Sequence, residues 1–144
     1  MGQLLEVAIA LLYRDNCFLM QLRDDLPSII YPGHWAFFGG HLEPGEDADT
    51  AVSRELDEEI GYTPPQLTRY KQINDGRIIR HFYHGPLTVS PDQLQLNEGQ
   101  DLGLCAIADI QRGYKFSEKL AEDRPLGAPH RAILLDFLAT QPLS

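Results

Sequence analysis

A row of apolar residues at every fourth position, Ala48, Val52, Leu56 and Ile60, with Ala51 beside it, constrains the fold more than any other feature of the chain. Such a row is one face of an amphipathic helix laid on a core. Gly61 suits the left-handed position that follows a last helical turn, and Pro64-Pro65 forbid continuation. The spacing therefore predicts a helix over 47–60. On a wheel of about 100° per residue, Glu55, Glu58 and Glu59 share one face, and Glu59 falls at the edge of the apolar stripe.

Around this helix the pattern changes to short strand-like runs. Residues 5–12 and 17–22 are apolar and flank Arg14-Asp15-Asn16, which is turn chemistry. Residues 23–33 carry Asp24, Asp25, Pro27, Pro32 and Gly33 and read as a loop. Residues 35–38 return to strand character, and Gly39-Gly40 is expected to end that strand sharply. Residues 66–73, 77–87 and 101–107 read as further strands, the first two joined at Asn74-Asp75-Gly76, a hairpin signal. A second helix is expected over 129–140, with Ile133, Leu134, Phe137 and Leu138 on one face and Pro129 near its start. The expectation is an α+β fold: two helices packed on a mixed, largely antiparallel sheet of five or six strands, in one domain over 1–144.

Charge narrows the partners. Twelve Lys and Arg against 21 Asp and Glu leave a net charge of -9, which argues against a nucleic-acid groove or an anionic membrane surface, since both call for a basic patch. A small anionic substrate stays compatible if a divalent cation stands between it and the protein. The cysteines, Cys17 and Cys105, lack metal-ligand spacing and read as core filler in a reducing cytoplasm. The apolar stretch from Leu4 to Tyr13 is interrupted by Glu6 and is shorter than the ~18 residues a membrane span needs.

Three carboxylates on one helix face repel one another, and a half-buried one without a partner costs more still. Arg54 is the one nearby base and cannot neutralise all three. Oxygen ligands without His or Cys favour a hard ion, Mg²⁺ or Mn²⁺. Glu59 is expected to be strained when no cation is present, so that removing its charge would not lower stability.

Residues 40–62 resemble the Nudix box, G-x5-E-x7-R-E-U-x-E-E-x-G-U, at every fixed position: Gly40, Glu46, Arg54, Glu55, Glu58, Glu59 and Gly61, with Leu56 and Ile60 among the apolar sites and Tyr62 a loose fit at the last one. Seven such residues coincide by chance at one start with odds on the order of one in 10⁸. The resemblance implies an α/β/α sandwich and hydrolysis of the pyrophosphate bond in a nucleoside diphosphate linked to another moiety. It implies metal held by Glu55, Glu58, Glu59 and the Gly40 carbonyl, bridging the diphosphate and acidifying a water. Arg54 would hold a catalytic carboxylate, and Glu46 would support the loop by pairing with Arg54. Many members add a Glu from a later loop as metal ligand or base, and Glu98 stands in the matching context; between Glu55 and Glu98 as base, Glu55 is slightly preferred.

The substrate is less constrained. Nucleotide sugars, ADP-ribose-like compounds and nucleoside triphosphates all stay open, because the family markers that follow the box are absent. Arg23, His41, Arg80 and Tyr83 are the candidate substrate contacts, on the ground that Arg meets phosphates, aromatics stack on bases, and His41 stands where substrate would pass. His81, His84 and His130 show no partner pattern. A second reading is a non-catalytic, nucleotide-sensing module, against which the intact acidic trio speaks. A homodimer is left open.

Overall fold

The computed structural model describes residues 4–140, which form two compact units. One takes the chain up to Tyr13 together with Phe38–Asn97; the other takes Arg14–Phe37 and the residues from Glu98 onward.

In the first unit, β1 (Leu5–Arg14) lies between β4 (Phe38–His41), antiparallel to it, and β6 (Ile78–Pro86), parallel to it; β5 (Thr68–Asn74) pairs antiparallel with β6 at the edge. The sheet is thus mixed. Helix α1 (Ala48–Ile60) buries Ala48, Ala51, Val52, Leu56 and Ile60, the residues whose period predicts it. Its start is fixed by Asp47, whose Oδ1 accepts from the Thr50 N–H at 2.7 Å. Its end is fixed by Gly61 at φ 63°, whose N–H reaches the Asp57 carbonyl. The last carbonyls, those of Glu58, Glu59 and Ile60, accept from Asn97 Nδ2, the Asn97 N–H and the Gln95 N–H, so no acceptor at this helix end depends on solvent alone.

In the second unit, β2 (Cys17–Leu22) is flanked by β3 (Trp35–Ala36) and β7 (Asp101–Ala106), both antiparallel to it. Helix α2 (Ile107–Arg112), a ribbon of β8 (Tyr114–Ser117) and β9 (Glu122–Pro125), and helix α3 (Ala128–Thr140) follow. Trp35 is fully buried, and its indole N–H donates to the Lys115 carbonyl at 3.1 Å. Phe18 meets Phe137 of α3 edge to face. Ile133, Leu134 and Phe137 are buried as expected, while Leu138 is half-buried. Cys105 is buried and Cys17 half-buried.

Three expectations change. The strand over 35–38 is broken at Phe37, whose N–H donates to His130 Nδ1 and whose carbonyl accepts from Gln21 Nε2, so side chains stand in for a sheet neighbour. Gly39-Gly40 does not end a strand but lies inside β4, because Gly39 at φ 149° permits a backbone approach that a side chain would block. A Cβ there would lie 2.1 Å from the Ala8 carbonyl oxygen. Finally, the described residues hold nine strands and three helices, more than the five or six and two expected. β8 and β9 are short and polar, and α2 has only 6 residues, so none of them carries a readable period.

The Gly39 contact makes a prediction for stability. Gly39→Ala should lower the unfolding free energy by about 3 kcal/mol, read as a shifted midpoint in urea denaturation with an unchanged slope. A midpoint equal to wild type would show that β1 and β4 separate without cost.

Candidate active site

The loop from His41 to Glu46 and the middle of α1 are joined by one guanidinium. Arg54 donates from Nε to Glu46 Oε2 at 2.8 Å and from Nη2 to Glu46 Oε1 at 2.9 Å, a bidentate pair. The same Nη2 reaches the His41 carbonyl at 3.1 Å. Nη1 reaches Glu55 Oε1 at 3.1 Å and Glu58 at 3.3 Å, and Glu43 lies 3.6 Å away. Glu46 also accepts from the Glu43 N–H at 2.9 Å, closing the turn of the loop. The expected Glu46–Arg54 bridge is present, and Arg54 reaches further round the acidic face than the sequence suggests.

Glu59 is 4% exposed, as its place on the wheel predicts, and its Oε2 accepts from the Gly39 N–H at 3.1 Å. That bond corrects the picture of a strained and unpartnered carboxylate: Glu59 ties α1 to β4. Gly40 is pressed on the helix at the next position, where a Cβ would lie 2.5 Å from the Glu55 carboxylate. The structure therefore gathers Gly40, Glu46, Arg54, Glu55, Glu58 and Glu59, and the two glycines are what let the strand approach two glutamates so closely.

Among the described residues no three His, Cys, Asp or Glu side chains form a ready metal cluster. Glu55 and Glu58 share Arg54, and Glu59 holds Gly39. The donors nonetheless suit a hard cation: two carboxylates, those of Glu55 and Glu59, face a backbone with no Cβ between, and the set contains oxygen alone. His41 lines a cavity of about 430 Å³ with Leu5, Glu6, Glu43 and Glu46.

Other candidates lie elsewhere in the two units. Tyr83 donates its hydroxyl to Asp49, which also pairs with Arg69 at 2.9 Å; burial, then the Asp49 carboxylate, holds the Tyr83 phenol above its ordinary range. Arg80 is held by Asp75 at 2.8 Å, which keeps that carboxyl well below the usual range. Phe82 is buried. Arg23 and Glu98 belong to the second unit, where both line a cavity of about 280 Å³ with Gln21, Asp24, Ile29 and Gly99. The three histidines that show no partner pattern in the sequence each have a partner in the fold: His81 with Glu6, His84 with Tyr13, and His130 with Phe37. These pairs cross 71 to 93 residues of sequence, a distance over which no local pattern could reveal them.

The Arg54 pair has a pH signature. Its hydrogen bonds, then the Glu43 N–H, lower the Glu46 carboxyl from 4.5 to about 2. A depressed folded-state value means stability that is complete above pH 4.5 and is lost as pH falls toward 2. The difference in Tm between wild type and Glu46→Gln should therefore shrink as pH is lowered through that window. A difference independent of pH would show that the charge on Glu46 does not matter to the fold.

Comparison with known proteins agrees with this geometry. The NUDIX domain model matches residues 3–124. Nucleoside triphosphatase NudI of Salmonella arizonae is 38% identical over 55 residues, a match spanning 38% of this chain and 38% of that relative's length. A MutT from work on Aliivibrio salmonicida and Vibrio cholerae shares the fold at TM-score 0.72 and 21% identity, over 96% of this chain and 99% of that one. So does a bifunctional NMN adenylyltransferase/ADP ribose pyrophosphatase of Francisella tularensis, solved with AMP and a Mn ion, at TM-score 0.65 and 21% identity over 97% of this chain and 42% of that one. With its box folded as a strand, loop and helix and the family model running from before β1 into β9, the chain belongs to the Nudix family.

Proposed function

We infer that the chain hydrolyses the pyrophosphate bond of a nucleotide derivative with the help of a divalent cation, Mg²⁺ or Mn²⁺, and that it does so as a single domain over 1–144. The observation that carries this reading is the contact of Gly39-Gly40 with Glu55 and Glu59 across from the Arg54 clamp. The intact acidic trio, with Glu59 buried and Glu55 half-buried against bare backbone, speaks for turnover over a module that only senses nucleotide. The Salmonella relative's name, nucleoside triphosphatase, and the Francisella protein's, ADP ribose pyrophosphatase, support the same class of bond. They leave nucleotide sugars, ADP-ribose-like compounds and nucleoside triphosphates as the substrates to test.

In this reading Glu55, Glu58, Glu59 and the Gly40 carbonyl would hold the cation. When bound, it supplies charge neutralisation for the diphosphate and makes water acidic enough to attack at neutral pH. Glu55 accepts the proton of the attacking water, and Arg54 holds its carboxylate in the orientation to do so. Glu46 fixes Arg54 in turn, so the loop and the base move as one body. Glu98 is the other candidate base, and His41 in the first unit and Arg23 in the second are separate candidates for meeting substrate phosphate.

Two measurements test this. A panel of nucleotide sugars, dinucleotides and nucleoside triphosphates should show turnover with millimolar Mg²⁺ and none in EDTA, and hydrolysis in ¹⁸O water should place label on a phosphate product. Label on a sugar carbon, or full turnover in EDTA, would overturn the reading. Glu55→Gln should lower kcat by roughly 10² to 10⁴; if Glu98→Gln does so and Glu55→Gln does not, the base is Glu98. Nucleotide binding without turnover would favour the sensing module.

A further inference from the structure

The second unit contains a loop whose shape is set from outside itself. Residues 24–33 close at their base through the Arg23 N–H to the His34 carbonyl at 3.0 Å and the Gly33 N–H to the Asp24 carbonyl at 3.1 Å. Inside, the Ile29 N–H reaches the Leu26 carbonyl, and Tyr31 takes a positive φ of 53°. At the far end Leu26 and Ile30 are 52% and 73% exposed, so no apolar packing holds the tip. Asp25 ties the loop to β9. Arg124 of β9 sends Nη1 and Nη2 to its two oxygens at 2.8 and 3.3 Å and is itself backed by Glu122 at 2.8 Å. Gly33 leaves room for the pair: a Cβ there would lie 2.5 Å from Asp25 and 2.6 Å from Arg124. The guanidinium, with Gln100 assisting, keeps the Asp25 carboxyl below its ordinary range.

The same loop supplies one wall of the 280 Å³ cavity, through Asp24 and Ile29, and at its root stands Arg23. The Nε of Arg23 is buried and meets no partner. A buried guanidinium N–H without a partner is suited to an acceptor brought by a ligand, such as a phosphate oxygen, and among the described residues Arg23 is the one basic residue of a cavity that Asp24 and Glu98 also line. Asp25, two positions along, already has its cation, which keeps that carboxylate from turning to Arg23.

We propose that Arg124, acting through Asp25, is a positioning residue that holds loop 24–33 as a wall of the Arg23 cavity, so that the pair governs nucleotide binding there. This rests on the reading of Arg23 as a phosphate contact, and its test does not require turnover. AMP, GMP, CMP and UMP are titrated calorimetrically in EDTA into the full chain and into Arg23→Gln, Arg124→Gln, Asp25→Asn, the Asp25→Asn/Arg124→Gln double variant and the charge-exchanged Asp25→Arg/Arg124→Asp. Hydrogen exchange at the Gly33 and His34 amides and a thermal melt are recorded for each. Arg124→Gln and Asp25→Asn should each raise the Kd of the tightest nucleotide about tenfold and speed exchange at Gly33, with a Tm within a few degrees of wild type. The double variant should be no weaker than either single one, since both break the same bond, and the exchanged pair should recover part of the loss. Arg23→Gln should weaken binding at least as much. Unchanged affinity in Arg124→Gln, loss that only accompanies a falling Tm, or binding indifferent to Arg23→Gln would each overturn the proposal. So would the absence of binding by all four nucleotides; if the substrate panel is still hydrolysed in that case, pyrophosphate hydrolysis stands and the loop pair alone fails.

Discussion

Arg54 sends two nitrogens to Glu46, one to Glu55 and Glu58, and a remaining proton to the carbonyl of His41. Without that cation, Glu43, Glu46, Glu55 and Glu58 would crowd a short loop and one helix face with no counter-charge, and their repulsion would drive loop from helix. A lysine could not replace it, because an ammonium is a single point of charge while the planar fork meets a carboxylate with two parallel bonds and still has donors to spare. The loop, the candidate base and the more exposed acid at Glu58 are thereby fixed relative to one another before any ligand arrives. A site built this way needs little rearrangement at the moment of reaction, which is where electrostatic preorganisation acts.

The second constraint is steric. Gly39 lies under the Ala8 carbonyl and Gly40 under the Glu55 carboxylate, each too close for a side chain. The same pair of residues thus lets β4 join β1 on one side and meet α1 on the other. Glu59 uses the opening to accept the Gly39 N–H from within the core. A buried carboxylate in that position gains a charge-assisted bond and gives up hydration, and Asn97 stiffens the arrangement by bonding the Glu58 and Glu59 carbonyls. On the proposed reading the cation and the fold would share this carboxylate, which the structure shows bound to the Gly39 N–H.

How much of this could be read in the sequence depended on distance along the chain. Helix α1 and its stop at Gly61 follow from residues within one another's reach, while Asp47, expected inside the helix, is its cap; the pairing of Glu46 with Arg54 is implied by the resemblance of the box and not by local spacing. In sequence Gly39-Gly40 reads as a strand end because glycine marks both a turn and a close approach, and only the presence of β1 decides between them. Phe37 was read as part of one strand because the groups that satisfy its backbone, Gln21 and His130, lie 16 and 93 residues away. The partners of His81, His84 and Arg124 are equally remote. What was missed is tertiary by nature: short polar ribbons such as β8 and β9 exist because neighbours hold them, with no period of their own to announce them.

The distribution of positive charge gives these observations a common cause. Nine of the 12 basic residues are arginines, and in a chain with 21 acids each fork can serve more than one. Arg54 does so for the box loop, Arg124 for Asp25 and Glu122, while Arg69 and Arg80 pin Asp49 and Asp75. Cations this scarce settle where two carboxylates, or a carboxylate and a carbonyl, must be held in one place. The more exposed of these pairs add little to stability, so their value lies in geometry: Arg54, Arg80 and Arg124 each fix a loop or turn, and Arg69 ties β5 to α1. Arg23 departs from the rule: Asp24 and Glu98 line the same cavity, and its buried Nε has no hydrogen-bond partner. A buried N–H without a partner is costly in any chain, and on the proposed reading a ligand oxygen would offset that cost at Arg23.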